Sequence, residues 1–131
     1  MARIGDIVVD CAHPASLARF WAAALDGYAV APYDEAELAR LRDTGVDDPE
    51  DDPSVLVEAG PGQPRLWFTR VPEPKTVKNR LHFDLRADLE STNHRAELTR
   101  LVGVGAEVVA DQAGWTTLRD PEGNEFDLLK D

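Results

Sequence analysis

One order of elements runs twice along this chain and constrains its fold more than any other feature: a strand, an amphipathic helix, then two or three strands. In the first round Ile7-Val8-Val9-Asp10-Cys11 reads as a strand, and His13-Pro14 opens a helix, because proline at the first helical position gives up no needed hydrogen bond. Leu17, Phe20, Trp21, Ala24, Leu25 and Tyr28 follow at the spacing of one helical face, with Gly27 placed to end it. That spacing assigns Phe20 and Trp21 to a core rather than to a ligand. Val55-Leu56-Val57 and Leu66-Trp67-Phe68-Thr69 read as strands around the turn signal Gly60-Pro61-Gly62, and Val71-Pro72-Glu73-Pro74-Lys75 as a stiff, extended connector. The second round has a strand over Arg80–Leu85 and a helix over Leu89–Val104, with Leu98, Leu101 and Val102 on one face and Gly105 as its stop. Strands then follow at Glu107–Val109, Trp115–Leu118 and Glu125–Leu129, the last two joined by the turn Asp120-Pro121-Glu122-Gly123-Asn124. An internal duplication is the economical explanation.

The 131 residues make one domain by length, and an apolar content of 43% suffices for a core. No apolar run approaches the roughly 18 residues of a membrane span. Met1 through Asp6 passes directly into the first strand without an apolar signal segment, so a cytoplasmic protein is expected. The single cysteine excludes an intrachain disulfide and a multi-cysteine zinc site. A net charge of −11 argues against binding to phosphate backbones. Much of the acid lies between Asp34 and Asp52, where carboxylates outnumber Arg40 and Arg42; a short helix over Asp34–Arg42 and a loop over Asp47–Pro53 are expected, as a solvated segment rather than a binding site.

Alternation divides each strand into two faces. One carries Ile7, Val9, Cys11, Leu66, Phe68, Leu81, Phe83, Leu85, Phe126 and Leu128, suited to pack against helices. The other carries Asp6, Val8 and Asp10; Arg65, Trp67 and Thr69; His82, Asp84 and Arg86; Trp115, Thr117 and Arg119; Glu125 and Asp127. A one-sided antiparallel sheet with its polar face in water would give the same pattern. Two tryptophans and a histidine on that face favour a ligand cleft, since large aromatics gain little from open water.

Three segments resemble the vicinal oxygen chelate superfamily, which includes glyoxalase I, extradiol dioxygenases, and bleomycin- and fosfomycin-resistance proteins. They are Val9-Asp10-Cys11-Ala12-His13-Pro14 into Ala18-Arg19-Phe20-Trp21; Val71 through Lys75 with Asn79 through Leu85; and Gly114-Trp115-Thr116 with Asp120-Pro121-Glu122-Gly123-Asn124-Glu125-Phe126. The Asp-Pro-x-Gly-Asn turn before a final strand is the most specific, and the likeness is strongest to small bacterial glyoxalase-like domains. It implies an α+β fold: two βαβββ modules forming a curved, cup-like mixed sheet with helices on the convex face. The whole chain, 1–131, would be a single such domain, with module one over about 1–72, an acidic insertion over about 33–53, and module two over about 78–131. It further implies a homodimer.

In metal-dependent members four positions bind one divalent ion. Carried across by position they fall on Asp6, Trp67 (or Phe68, one residue on), His82 and Asp127. An indole cannot ligate a metal through its N–H, which leaves Asp6, His82 and Asp127. These would suit Mn, Fe, Zn or Ni, acting as a Lewis acid on a substrate with adjacent oxygens. His82 is the expected ligand or base. Trp67 and Trp115 would form an aromatic wall, Arg65 and Arg119 would steer an anionic group, and Thr69, Asp84 and Thr117, on the same face, would contact the ligand. His13 and His94, at the helix starts, are expected at the surface, and Cys11 buried and inert. Two functions follow as expectations: a small-molecule binder without a full four-ligand metal site, akin to drug-sequestering resistance proteins, or a divalent-metal-dependent lyase, isomerase or dioxygenase.

Overall fold

Each half of the sequence builds its own four-stranded mixed sheet. The structure, a computed structural model, describes residues 1–131 and divides into two units, Met1–Pro74 and Lys75–Asp131. The first contains β1 (Asp6–Cys11), α1 (Pro14–Ala24), β2 (Ala29–Val30), α2 (Glu35–Asp43), a single turn of tight helix at Pro49–Asp51, β3 (Ser54–Glu58) and β4 (Arg65–Arg70). Its sheet runs β1-β4-β3-β2, with β1 parallel to β4 and the other pairs antiparallel. The second contains β5 (Asp84–Leu85), α3 (His94–Gly103), β6 (Glu107–Asp111), β7 (Trp115–Arg119) and β8 (Glu125–Leu129). Its order, β5-β8-β7-β6, repeats the plan: first and last strands are parallel neighbours, and the rest run antiparallel. This is the two-module α+β fold that the repeated element order predicts.

Local chemistry explains the first helix. Pro14 occupies its first turn, and the His13 ring nitrogen accepts the Ser16 N–H at 3.3 Å. Leu17, Ala18, Phe20, Trp21 and Ala24 are buried on the face toward β3 and β4, with Phe20 and Trp21 meeting edge to face at 5.2 Å. Burial of one such large side chain stabilises by about 1.5–3 kcal/mol, far above what helix propensity supplies. Val55, Val57, Leu66 and Phe68 complete that core. In the second unit Leu101, Ala106, Leu118, Phe126 and Leu128 are buried together with the Thr116 side chain. Cys11 is buried as expected, its thiol donating toward the Thr69 carbonyl.

Several elements depart from the sequence reading. The strand expected over Arg80–Leu85 is only Asp84–Leu85, and Leu81, assigned to the apolar face, is 89% exposed. Residues before Asp84 make one ladder-type bond, Asp127 N–H to the Phe83 carbonyl at 2.9 Å. The connector ahead of them is held instead by Glu125, which accepts from the Asn79 N–H and pairs with Lys75. The helix expected from Leu89 begins at His94. Asp88 turns the chain first, its carbonyl accepting from Ser91 and Thr92, and Asn93 then caps the helix by accepting the Ala96 N–H. Val102 is exposed rather than core-facing. Tyr28 lies beyond the end of α1, past Gly27 at φ +74°, and its hydroxyl donates to the Pro64 carbonyl.

Candidate functional site

The parallel pairing of β1 with β4 puts Asp6 opposite Arg65 and Val8 opposite Trp67. Arg65 donates twice to the Asp6 carboxylate, at 2.9 and 3.0 Å. Hydrogen bonding to Arg65 first, with a further contribution from the Trp67 side chain, holds the Asp6 carboxyl below its usual range. Asp6, an expected metal ligand, is thus already engaged by a guanidinium, and Arg65, expected to steer an anion, is engaged by Asp6. The Trp67 indole is half-buried. Thr69 lies two residues further along the same strand and is also half-buried.

Trp67 lines a cavity of about 440 Å³ within the first unit. Its other walls are Ala31, Pro32 and Tyr33 after β2, Asp34, Glu37 and Arg40 on and before α2, and Asp52, Ser54 and Leu56 at β3. The acidic stretch, expected as a solvated segment, therefore builds a wall. Two capping interactions seat it. Asp34 caps α2 by accepting the Glu37 N–H at 2.8 Å, and Asp48 accepts the Glu50 N–H at the following turn. Asp52 is 3% exposed; one oxygen accepts the Ser54 N–H and the other the Tyr33 hydroxyl at 2.8 Å. Burial, followed by the hydrogen bond to Asp52, pushes the Tyr33 phenol far above its ordinary pKa and keeps it a donor. Arg40 forms a salt bridge with Glu37.

Sequence reasoning missed Tyr33, Arg40 and Asp52. The short helix expected over Asp34–Arg42 matches α2, but nothing local marks Asp52 as buried.

The second unit gathers a different group. Register sets Asp84 beside Asp127 across β5–β8, and Asp127 beside Thr117 across β7–β8. His82, just before β5, places its Nε2 3.4 Å from Asp84 Oδ1 and 3.3 Å from Asp127 Oδ2. Thr117 donates to the other Asp127 oxygen at 2.6 Å, fixing that carboxylate. One ligand atom from each of His82, Asp84 and Asp127 lies within 4.8 Å of the other two. An imidazole and two carboxylates at this spacing fit the donor preferences of a borderline divalent ion. Asp84, expected only as a ligand contact, stands with His82 and Asp127. Trp115 is 42% exposed at the start of β7, and Arg119 is exposed in register with Glu125. His94 is not a simple surface residue: its Nε2 lies 3.1 Å from the Thr116 hydroxyl, which donates to Asp111. No helix is long and apolar enough to cross a membrane.

No curated protein matches the chain by sequence. Among solved structures it is similar to the fosfomycin resistance protein FosX from Mesorhizobium loti, at 12% identity and a TM-score of 0.63, covering 100% of this chain and 93% of that one. It is similar also to a glyoxalase/bleomycin resistance protein/dioxygenase family enzyme from Burkholderia phytofirmans PsJN, at 13% identity, a TM-score of 0.61 and 97% coverage of each chain. A mutant FosX from Listeria monocytogenes, complexed with Mn(II) and a dihydroxypropylphosphonic acid, matches at 8% identity and a TM-score of 0.64, over 99% of this chain and 90% of that one. At these identities the likeness shows the fold. The model of the glyoxalase-like domain matches residues 6–129, nearly the whole chain, and the protein belongs to that family, within the vicinal oxygen chelate superfamily.

Proposed function

We propose that this protein binds a small organic ligand in the first-unit cavity, with the ligand resting on the Trp67 indole. The observation that carries this reading is the cavity itself: about 440 Å³, within the range of small-molecule sites, with an aromatic ring at its wall. The Tyr33 phenol, its proton held by buried Asp52, offers an acceptor oxygen, and such placed polar groups orient a ligand in sites of this kind. The test is a fragment screen read by protein NMR. Hits are expected to move the Trp67 indole resonance together with Tyr33 and Leu56. Hits that shift Trp115 instead, and survive Trp67→Leu, would rule the reading out.

A second reading is favoured by the His82, Asp84 and Asp127 group. These residues would hold a divalent ion of the kind named for the Listeria protein, Mn(II). Such an ion supplies Lewis-acid polarisation to a substrate oxygen, in a lyase, isomerase or dioxygenase. Thr117 would keep the Asp127 carboxylate oriented for it. Elemental analysis of protein purified without chelator is expected to find about one ion per chain, lost in His82→Ala. Thermal stabilisation by Mn²⁺ that is equal in wild type and His82→Ala would refute it.

A further inference from the structure

We infer that the first-unit cavity selects an organic cation: a ligand with a quaternary or protonated amine carried near an aromatic or apolar body. The inference deepens the ligand-binding reading above and rests on it.

Charge and ring chemistry carry it together. Three carboxylates line the cavity, Asp34, Glu37 and Asp52, against one cation, Arg40. Arg40 does not neutralise the group evenly, because its guanidinium donates through both Nε and Nη2 to Glu37. Asp34 and Asp52 then receive no hydrogen bond from that guanidinium. The donors they do have are neutral: backbone N–H groups for Asp34 and Asp52, and a phenol for Asp52. Arg40 also acts on Asp52 through space, but three carboxylates against one guanidinium leave the lining acidic, an environment in which a positive group gains. The Trp67 ring supplies the second element, since the face of an indole attracts cations, ammonium groups included. Anionic ligands meet the opposite field, reinforced by a chain that carries −11 overall.

The experiment uses three soluble probes that share a ring and differ in charge: benzyltrimethylammonium, benzyl alcohol and benzoate. Calorimetric titrations at low and high salt are run on wild type, Asp34→Asn and Trp67→Leu, each checked for folding by circular dichroism. Asn caps a helix as well as Asp does, so Asp34→Asn removes charge while keeping the fold. The expected result is binding of the ammonium at least tenfold tighter than the alcohol, no binding of benzoate, and a loss of several-fold for the ammonium alone in Asp34→Asn. High salt is expected to narrow the gap between the two. Equal affinity for ammonium and alcohol, or tighter benzoate binding, would overturn the cation inference and leave the cavity reading standing. Failure of all three probes to bind, or binding unchanged in Trp67→Leu, would remove the cavity reading as well.

Discussion

Replacing Glu125 by Gln tests how the second unit holds the segment that leads to His82. Glu125 opens β8, and its carboxylate accepts the Asn79 N–H at 3.0 Å and pairs with Lys75 at 3.1 Å. Lys75 also donates to the Val77 carbonyl, so one short network ties residues 75–79 to the sheet. Burial alone would raise the carboxyl; the Asn79 N–H, the residue's own N–H and the Lys75 ammonium outweigh it and hold the pKa down from 4.5 to about 2. Its side chain is only 12% exposed, so solvent screens the network little. Converted at about 1.4 kcal/mol per tenfold change in affinity for the proton, that depression corresponds to roughly 3 kcal/mol of stability. Because the folded pKa lies below the unfolded one, the contribution is fully present above pH 4.5 and is lost as pH falls toward 2. Glu125→Gln keeps the shape and one acceptor but removes the charge. It is expected to cost about 2–3 kcal/mol in urea unfolding at pH 7, shrinking to roughly 1 kcal/mol at pH 3. A cost that is the same at both pH values, or below about 0.5 kcal/mol at pH 7, would refute the electrostatic account of this anchor.

Other perturbations follow from the same kind of reasoning. Asp120 is 4% exposed and accepts from the Glu122 and Asn124 N–H groups and the Asn124 amide, so Asp120→Ala should destabilise by about 1–3 kcal/mol in chemical denaturation. Tyr33→Phe removes the only side-chain donor to buried Asp52 and is expected to cost about 1–3 kcal/mol, while Tyr28→Phe, whose hydroxyl meets a carbonyl near the surface, should cost less. Leu118→Ala, fully buried on β7, should lower stability by about 2–5 kcal/mol, against under about 1 kcal/mol for Leu81→Ala in the same assay.

The fold was legible because its signals are local and repeated. Helical periodicity located α1, alternation sorted Leu66 and Phe68 from Trp67, and the Asp120–Asn124 turn marked the entry to β8. Parity also put His82, Asp84, Thr117 and Asp127 on one face, which is why their convergence agrees with the alternation pattern. Two of the failures depended on partners distant in sequence. Arg80–Phe83 has the composition of a strand, but strand character needs a paired neighbour, and β8 offers its ladder only from Asp84 onward apart from one bond. Asp6 carries the right chemistry for a metal ligand, yet pairing with Arg65 59 residues away decides what that carboxylate does. Apolar spacing counted from Leu89 also misplaced the start of α3, where the Asp88 turn and the Asn93 cap compete with helix for the same backbone groups.

The acidic segment raises a sharper question, because a helix can account for part of its charge. Glu35 and Glu37 stand in the first turn of α2 and Arg40 and Arg42 in the last, the arrangement that complements the helix dipole. Asp34 differs. Its structural task is to accept the Glu37 N–H, and that requires an oxygen rather than a charge, which Asn, Ser or Thr would supply nearly as well. A carboxylate there exceeds what the cap demands, and it stands at the wall of a cavity beside buried Asp52. If the surplus charge serves ligand selection, Asp34→Asn should leave thermal stability within about 0.5–1 kcal/mol of wild type, the range of a lost dipole interaction. A loss above about 2 kcal/mol would instead assign the charge to folding, and the cavity's acidity would then follow from the needs of α2 rather than from those of a bound cation.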